Sequence, residues 1–524
     1  MKKISFFISL FLFLIAIILM ARMIFSIKKS GQDKLTCENC NVILVSIDTL
    51  RADHLGCYGY LKNTSPNIDK FSKKGILFEN YIVQGYLTPT STISLFTSKY
   101  ISSLNTIYLN SVLSKKDLTL TQILKAYNYT TAAFISSPEF SDFLGNAKEA
   151  MSRGFDSYIL PSNFNGYGRR LPPKYQISKW LEKNKENKFF LWLPIGAVHW
   201  PYGAHSNDSV KKMFLEKEYS GIFSNKSSFD WQDSLRYIYN STFYSKSGPI
   251  KLDESDTNYI RSFYDSGIFV TDEYFGWLLN EINKLGLNKN TTIIVNSVHG
   301  EDLGEHKYFG HYDMYDTEIK NALIIVGPKT FEKRIKAQVQ GIDVMPTLLE
   351  MLKIQQPYQV QGKSLIPLIE GKVKSINEYT FSERIPVWEY ILFSHILGAD
   401  IFNRIDVPES LKVWNKNMMN FFKLHPNFYY NDISIRTEKW KLIYRQDPEI
   451  LEKLSIWGGL TNQSIKISKL ELYDIENDPY EKVNMIDKEP EIAKKLKQEI
   501  IHWKKYVNQN ESVSISNIPL QEYP

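Results

Sequence analysis

The chain has 524 residues, 43% of them apolar and 23% charged, with a formal net charge of +6. That length exceeds one small core and suits a large α/β domain with an added subdomain. Lysines and arginines are scattered rather than gathered into a stripe, which excludes nucleic acid as a partner.

Residues 4 to 21, ISFFISLFLFLIAIILMA, are apolar except for two serines, with Lys2 and Lys3 before them and Arg22, Lys28 and Lys29 after. The tract nearly spans a bilayer core and is longer than the apolar region of an ordinary signal peptide. No small-x-small cleavage site follows. Residues 1–29 are therefore expected to form an uncleaved, single-pass signal anchor in the cell membrane, with the remainder facing outward. Residues 30–40 form a juxtamembrane linker. It holds Cys37 and Cys40 in the sequence CENC. Zinc needs about four ligands and no second pair stands nearby, so a local disulfide or two idle thiols is the reading here. Sequons such as Asn128-Tyr129-Thr130 are expected by chance in an asparagine-rich chain.

Asn41 to Ile47, NVILVSI, is a near-continuous apolar run, as in a parallel strand buried on both faces. It ends at Asp48-Thr49. Similar runs are TTAAFIS (130–136), KFFLWLPIG (188–196), TTIIVNSV (291–298) and NALIIVG (321–327). Helical stretches separate them, including SFYDSGIFVTDEYFGWLLNEINKLG (262–286), whose apolar positions recur at helical spacing before Gly286. Strands alternating with helices predict a mostly parallel sheet between helices over 41–375. VMPTLLEMLKI (344–354) reads as a helix. From about 376 the texture changes. SIRTEKWKLIYR (434–445) alternates like an antiparallel strand, KLELYDIENDP (469–479) like a second, and EPEIAKKLKQEIIHWKKYV (489–507) is an amphipathic helix. Residues 376–524 are predicted to be a smaller α+β subdomain. The aromatic segment 386–428 has no assignment.

Four separated stretches carry the chemistry: SIDTLRADHLGCYGY (46–60), TPTSTISLFTS (88–98), VHWP (198–201) and VHGEDLGEHKYFGHYDMYDTEIKNALIIVGP (298–328). Their order and spacing resemble the sulfatase family of the alkaline phosphatase superfamily, from roughly 41 to 507. DVMPTLLEML, VQGKSL, IRTEKWKLIY and LYDIENDPYEKVN match its C-terminal signatures. The resemblance implies an alkaline-phosphatase-like fold and one divalent ion, Ca²⁺ by family likeness, with Mg²⁺, Mn²⁺ or Zn²⁺ as alternatives.

Carried over residue by residue, the resemblance makes Asp48 a metal ligand, where the plainer reading is a helix cap. A second Asp often follows in the family, and here it is Thr49. The family nucleophile is a Cys or Ser converted to formylglycine at the start of the next helix. Anchoring on that helix puts Thr88 there, so no formylglycine is expected and Thr88 serves as both metal ligand and nucleophile. Anchoring on Pro89 instead puts Leu87 there. The plainer reading of TPTST is a hydroxyl-rich helix cap. His299 fits a further metal ligand, but Val298 stands where a ligand carboxylate or amide is usual. His199 and His311 fall where the family steadies ester oxygens and the leaving group. His306 and Lys320 are lesser substrate-binding candidates. The reading is an outward-facing, membrane-anchored hydrolase of sulfate or phosphate esters of a glycan, lipid or small molecule. The alternatives are a head-group transferase of the same superfamily and a pseudoenzyme that binds without turnover.

Overall fold

The computed structural model describes residues 35–104, 113–137, 140, 147–160, 171–215, 219–228, 237–238, 242–245, 248–306, 308–311, 313–357, 360–384, 432–445 and 468–509. The expected anchor and the aromatic segment 386–428 lie outside them. Among the described residues no helix is long and apolar enough to cross a membrane.

A nine-stranded sheet forms the centre. Its strands in chain order are β1 (Asn41–Ile47), β2 (Ile76–Ile82), β3 (Thr130–Phe134), β4 (Ser157–Ile159), β5 (Phe189–Ile195), β6 (Thr291–Ser297), β7 (Lys320–Val326), β8 (Lys333–Ile335) and β9 (Val339–Gln340). Across the sheet the order is β8, β2, β7, β6, β1, β5, β3, β4, with β9 also paired to β2. β1, β5 and β6 are buried along their whole length. Strands covered on both faces have no solvent side to mark with polar residues, so their sequences run apolar without alternation. Several of the polar groups inside are paired. Trp192 Nε1 donates to Ser46 Oγ at 3.1 Å, and Ser46 Oγ donates to Asn296 Oδ1 at 2.9 Å.

The sheet is parallel except for β7, which pairs antiparallel with both β2 and β6. An apolar run says that a strand is buried, not which way it points. β2, ILFENYI, was not among the predicted runs because Glu79 and Asn80 interrupt it, yet it lies inside the sheet between β8 and β7. Helix α1 (Thr88–Thr97) follows β2. The long helix α2 (Glu254–Lys284) begins eight residues before the predicted stretch, where Asp253 and Asp256 form a reciprocal capping box.

A four-stranded antiparallel sheet follows: β10 (Thr380–Arg384), β11 (Asp432–Arg436), β12 (Trp440–Tyr444) and β13 (Leu470–Asp474). The stretch read as one strand, 434–445, is parts of two, turning at Thr437–Lys439. Helix α3 (Pro490–Gln509) packs Leu496, Ile500 and Trp503 with Ile433, Ile435 and Leu442. Tyr100 and Ile342 belong to the same apolar cluster, so this small sheet shares a core with the α1 side of the molecule.

Candidate active site

The adjacent strands β5, β1 and β6 bring three segments to one edge. Ile47 lies in register with Ile195 and Ser297, and these three residues end their strands. The next residues are therefore delivered side by side at the carboxyl edge of a parallel sheet, where open α/β folds present their sites. Asp48 donates its backbone N–H to Ile195 O at 2.8 Å, and Val298 donates its own to Ile47 O at 3.0 Å. Val298 is buried and prolongs the β6–β1 ladder by one residue.

The turn after Asp48 is unusual. Thr49 has φ +55°, a conformation that costs a β-branched residue energy. Its hydroxyl donates to Asp48 O at 2.8 Å. Tyr264 on α2 pins the turn, donating its hydroxyl to Thr49 O at 2.6 Å and accepting from Arg51 N at 2.9 Å. Thr49 is thus committed to its own backbone.

Thr88 is the first residue of α1 and Leu87 is the cap residue, with no side-chain capping bond. The hydroxyls of Thr90, Ser91 and Thr92 donate to Leu87 O, Gly85 O and Thr88 O. Thr88 is different. Its Oγ1 lies 3.0 Å and 3.2 Å from the two carboxylate oxygens of Asp48, and 3.1 Å from His299 Nε2. His299 Nε2 is 3.2 Å from Asp48 Oδ1. All three residues are buried. Position 88, rather than 87, therefore meets the carboxylate and the imidazole, and the plain cap reading fails because Leu87 occupies the cap.

The other ring nitrogen of His299 lies 2.9 Å from Gly300 O. A carbonyl can only accept, so Nδ1 carries the proton there and a neutral ring turns its Nε2 lone pair towards Asp48 and Thr88. Gly300 is required for this approach. A Cβ at that position would stand 2.0 Å from Thr317 O, which no side chain tolerates.

A second buried set adjoins the first. His311 Nδ1 is 3.0 Å from Glu301 Oε1. The rings of His299 and His311 have centroids 4.4 Å apart, and those of His199 and His311 5.1 Å. His199 Nδ1 lies 2.9 Å from Trp200 O. Sequence reasoning passed over Glu301 as one carboxylate among several in GEDLGEH. Its neighbours distinguish it: Asp302 is equally buried but faces His306, whereas Glu301 faces His311, and such partners are not written in the residue type.

His306 and Lys320 have other surroundings. His306 Nδ1 is 2.5 Å from Asp302 Oδ2, and its ring stacks on Tyr315 at 3.6 Å. Burial disfavours charge on this imidazole, but Asp302 outweighs it and the pKa is raised. Lys320 has its pKa lowered by burial and then by Arg436, against Asp316, Asp53 and Glu79. That is a different set of charges from the one around Thr88.

Three comparisons place the chain. The family model described as Sulfatase matches residues 40–354. Arylsulfatase K of Bos taurus is 25% identical over 363 residues, 65% of this chain, and the match spans 59% of the bovine protein's length. The ulvan-active sulfatase of Formosa agariphila is 23% identical over 491 residues, covering 92% of this chain and 83% of that one. Among solved structures, a phosphonate monoester hydrolase of Agrobacterium radiobacter superposes with a TM-score of 0.63 at 16% identity, over 89% of this chain and 96% of that one. A 2-O GAG sulfatase does so at 0.61 and 17%, over 91% and 93%. At such identities the superpositions establish a shared fold.

Proposed function

The chain belongs to the sulfatase family, and on that premise we propose that it hydrolyses sulfate or phosphate esters with Thr88 as nucleophile. One observation carries the reading: the Thr88 hydroxyl opens α1 and touches both Asp48 and Nε2 of His299. Asp48, Thr88 and His299 fit a divalent ion. They set one carboxylate, one hydroxyl and one imidazole nitrogen within 3.2 Å of one another. Nitrogen in that set favours a transition ion more than an all-oxygen cage does, while the family likeness favours Ca²⁺. When bound, such an ion would make the hydroxyl more acidic and offset the charge of the ester.

The residues do the rest. Thr88 Oγ attacks sulfur or phosphorus, and its proton passes to an acceptor it already touches. The N-terminus of α1 favours negative charge at that oxygen. The bond to the leaving oxygen breaks, and His311 or His199 protonates that oxygen. Water then cleaves the Thr88 ester and restores the hydroxyl. No formylglycine takes part, because threonine carries a methyl group on the carbon that would become the aldehyde. His306 and Lys320 do not enter this scheme.

A sulfated glycan is the proposed substrate class, supported by what the printed names of the ulvan-active and 2-O GAG relatives say of those proteins. We further propose that the N-terminal apolar tract anchors the chain with its catalytic domain outward. The Cys37–Cys40 disulfide suits an oxidising compartment. The test is an ester panel, sulfate and phosphate, with metals added back. Turnover in the wild type should fall at least about a thousandfold in Thr88→Ala and survive in part in Thr88→Ser. A Thr88→Ala protein as active as wild type overturns the nucleophile. A wild type inert to every ester, with its metal present, favours the binding-module alternative.

A further inference from the structure

We propose that His199, Glu301 and His311 form a second cation site beside the Asp48–Thr88–His299 set, suited to Zn²⁺ or Mn²⁺. Ligand atoms of the three residues all lie within 4.8 Å of one another, and all three residues are buried. Two imidazoles and one carboxylate, with positions left over, are a donor set of catalytic zinc and of other first-row ions. An ion with bonds of about 2.1 Å holds ligands no more than about 4.2 Å apart, so any pair near the 4.8 Å limit would have to close on binding.

Two features favour a cation over a simple ion pair. The first is His199. A Glu301–His311 pair explains the 3.0 Å contact between those two, but not the arrival of a third ligand atom from the segment after β5. Trp200 O accepts from Nδ1 of His199 at 2.9 Å, which leaves the lone pair of a neutral ring on Nε2. A carbonyl behind a ligating imidazole fixes tautomer and orientation in just this way. The second is charge. Val298 withholds an oxygen ligand from the first set, and Glu301, three residues on, adds a buried carboxylate to the second. The His311 ring contacts the rings of both His299 and His199, so the two sets adjoin.

The benefit to catalysis rests on the reading of Thr88 given above: with a cation bound, His199 and His311 would act as its ligands rather than as proton donors, and the charge of the ion would offset that of the leaving oxygen in their place. The binding site itself does not depend on it. The test uses the full-length chain in detergent, stripped with chelator, reloaded with Zn²⁺ and desalted before elemental analysis. The expected result is two ions per chain in the wild type, one in Glu301→Gln and in His311→Asn, and one in Asp48→Asn. Two variants of the triad are used so that loss of fold in one, checked by thermal melting, leaves the other. A single ion lost in both triad variants and kept in Asp48→Asn also supports the site, while overturning the metal set assigned to Thr88. A single ion kept in the triad variants and lost in Asp48→Asn overturns this proposal and leaves the Thr88 reading standing. A wild type without zinc overturns both.

Discussion

Val298 shows how one residue constrains a site. Its backbone completes the β6–β1 ladder and its side chain is buried next to His299. Valine is well packed there but offers a cation nothing. Val298→Asp should act in two opposed ways. Without metal, a buried unpaired carboxylate should lower stability by several kcal/mol. With metal, the same carboxylate should tighten binding about tenfold or more, a gain of about 1.4 kcal/mol. Calorimetric titration and melting curves with and without ion measure both. An unchanged metal affinity would mean that the side chain at 298 does not face the ion. Thr49 argues the complementary case. Its hydroxyl is spent on Asp48 O, so the threonine does not take the place of the second carboxylate.

The loop from His299 to His306 is positioned by an ionic network. Arg51 donates to Glu301 O at 3.2 Å and pairs with Glu305 at 3.0 Å and Asp53 at 2.8 Å. Arg261 on α2 adds a second contact to Glu305 at 3.2 Å. Burial alone would raise the Glu305 carboxyl, but Arg51 and Arg261 outweigh it and hold it at about 2. A carboxyl held below its unfolded value binds fewer protons in the folded state. Its stabilisation is therefore full above about pH 4.5 and is lost as pH falls towards 2. Glu305→Gln should cost on the order of 1–3 kcal/mol at pH 7 in urea unfolding. The gap to wild type should narrow as pH falls from 4.5 to 3. A gap that stays constant with pH would show that Glu305 contributes packing rather than charge.

At the scale of the described residues, the small C-terminal sheet is tied to the segment before β7 by buried charge, as it is to the α1 side by apolar packing. Lys441 on β12 reaches Asp316 at 2.9 Å and Glu481 at 2.7 Å, and Arg436 on β11 reaches Asp316 at 3.2 Å. Asp316 lies four residues before Lys320, at the start of β7, inside the segment that follows His311. Lys441→Ala would take the ammonium from buried Glu481 and leave buried Asp316 with Arg436. A loss of roughly 3–5 kcal/mol is expected, read from the unfolding midpoint at constant slope. A loss under about 1 kcal/mol would mean that Arg436 alone satisfies the junction.

The amino-acid sequence determined what depends on local pattern. Buried parallel strands had to be apolar throughout, so NVILVSI, FFLWLPI and TTIIVNS were legible as strands, and so were the polar turns that end the first and the last. Residue chemistry nominated Asp48, Thr88, His199, His299 and His311, because only such side chains ligate, attack or move protons. Local pattern was silent on direction and on convergence. The antiparallel course of β7 and the strand β2, with its two polar residues, come from pairing partners more than 200 residues apart. Glu301 looked like any acid in a polar loop until folding buried it between two histidines. Thr88 was one hydroxyl among four until the helix start turned it, and not its neighbours, towards Asp48. Only the tertiary structure decides such matters, because a side chain's environment is made by residues that the chain's order does not place beside it.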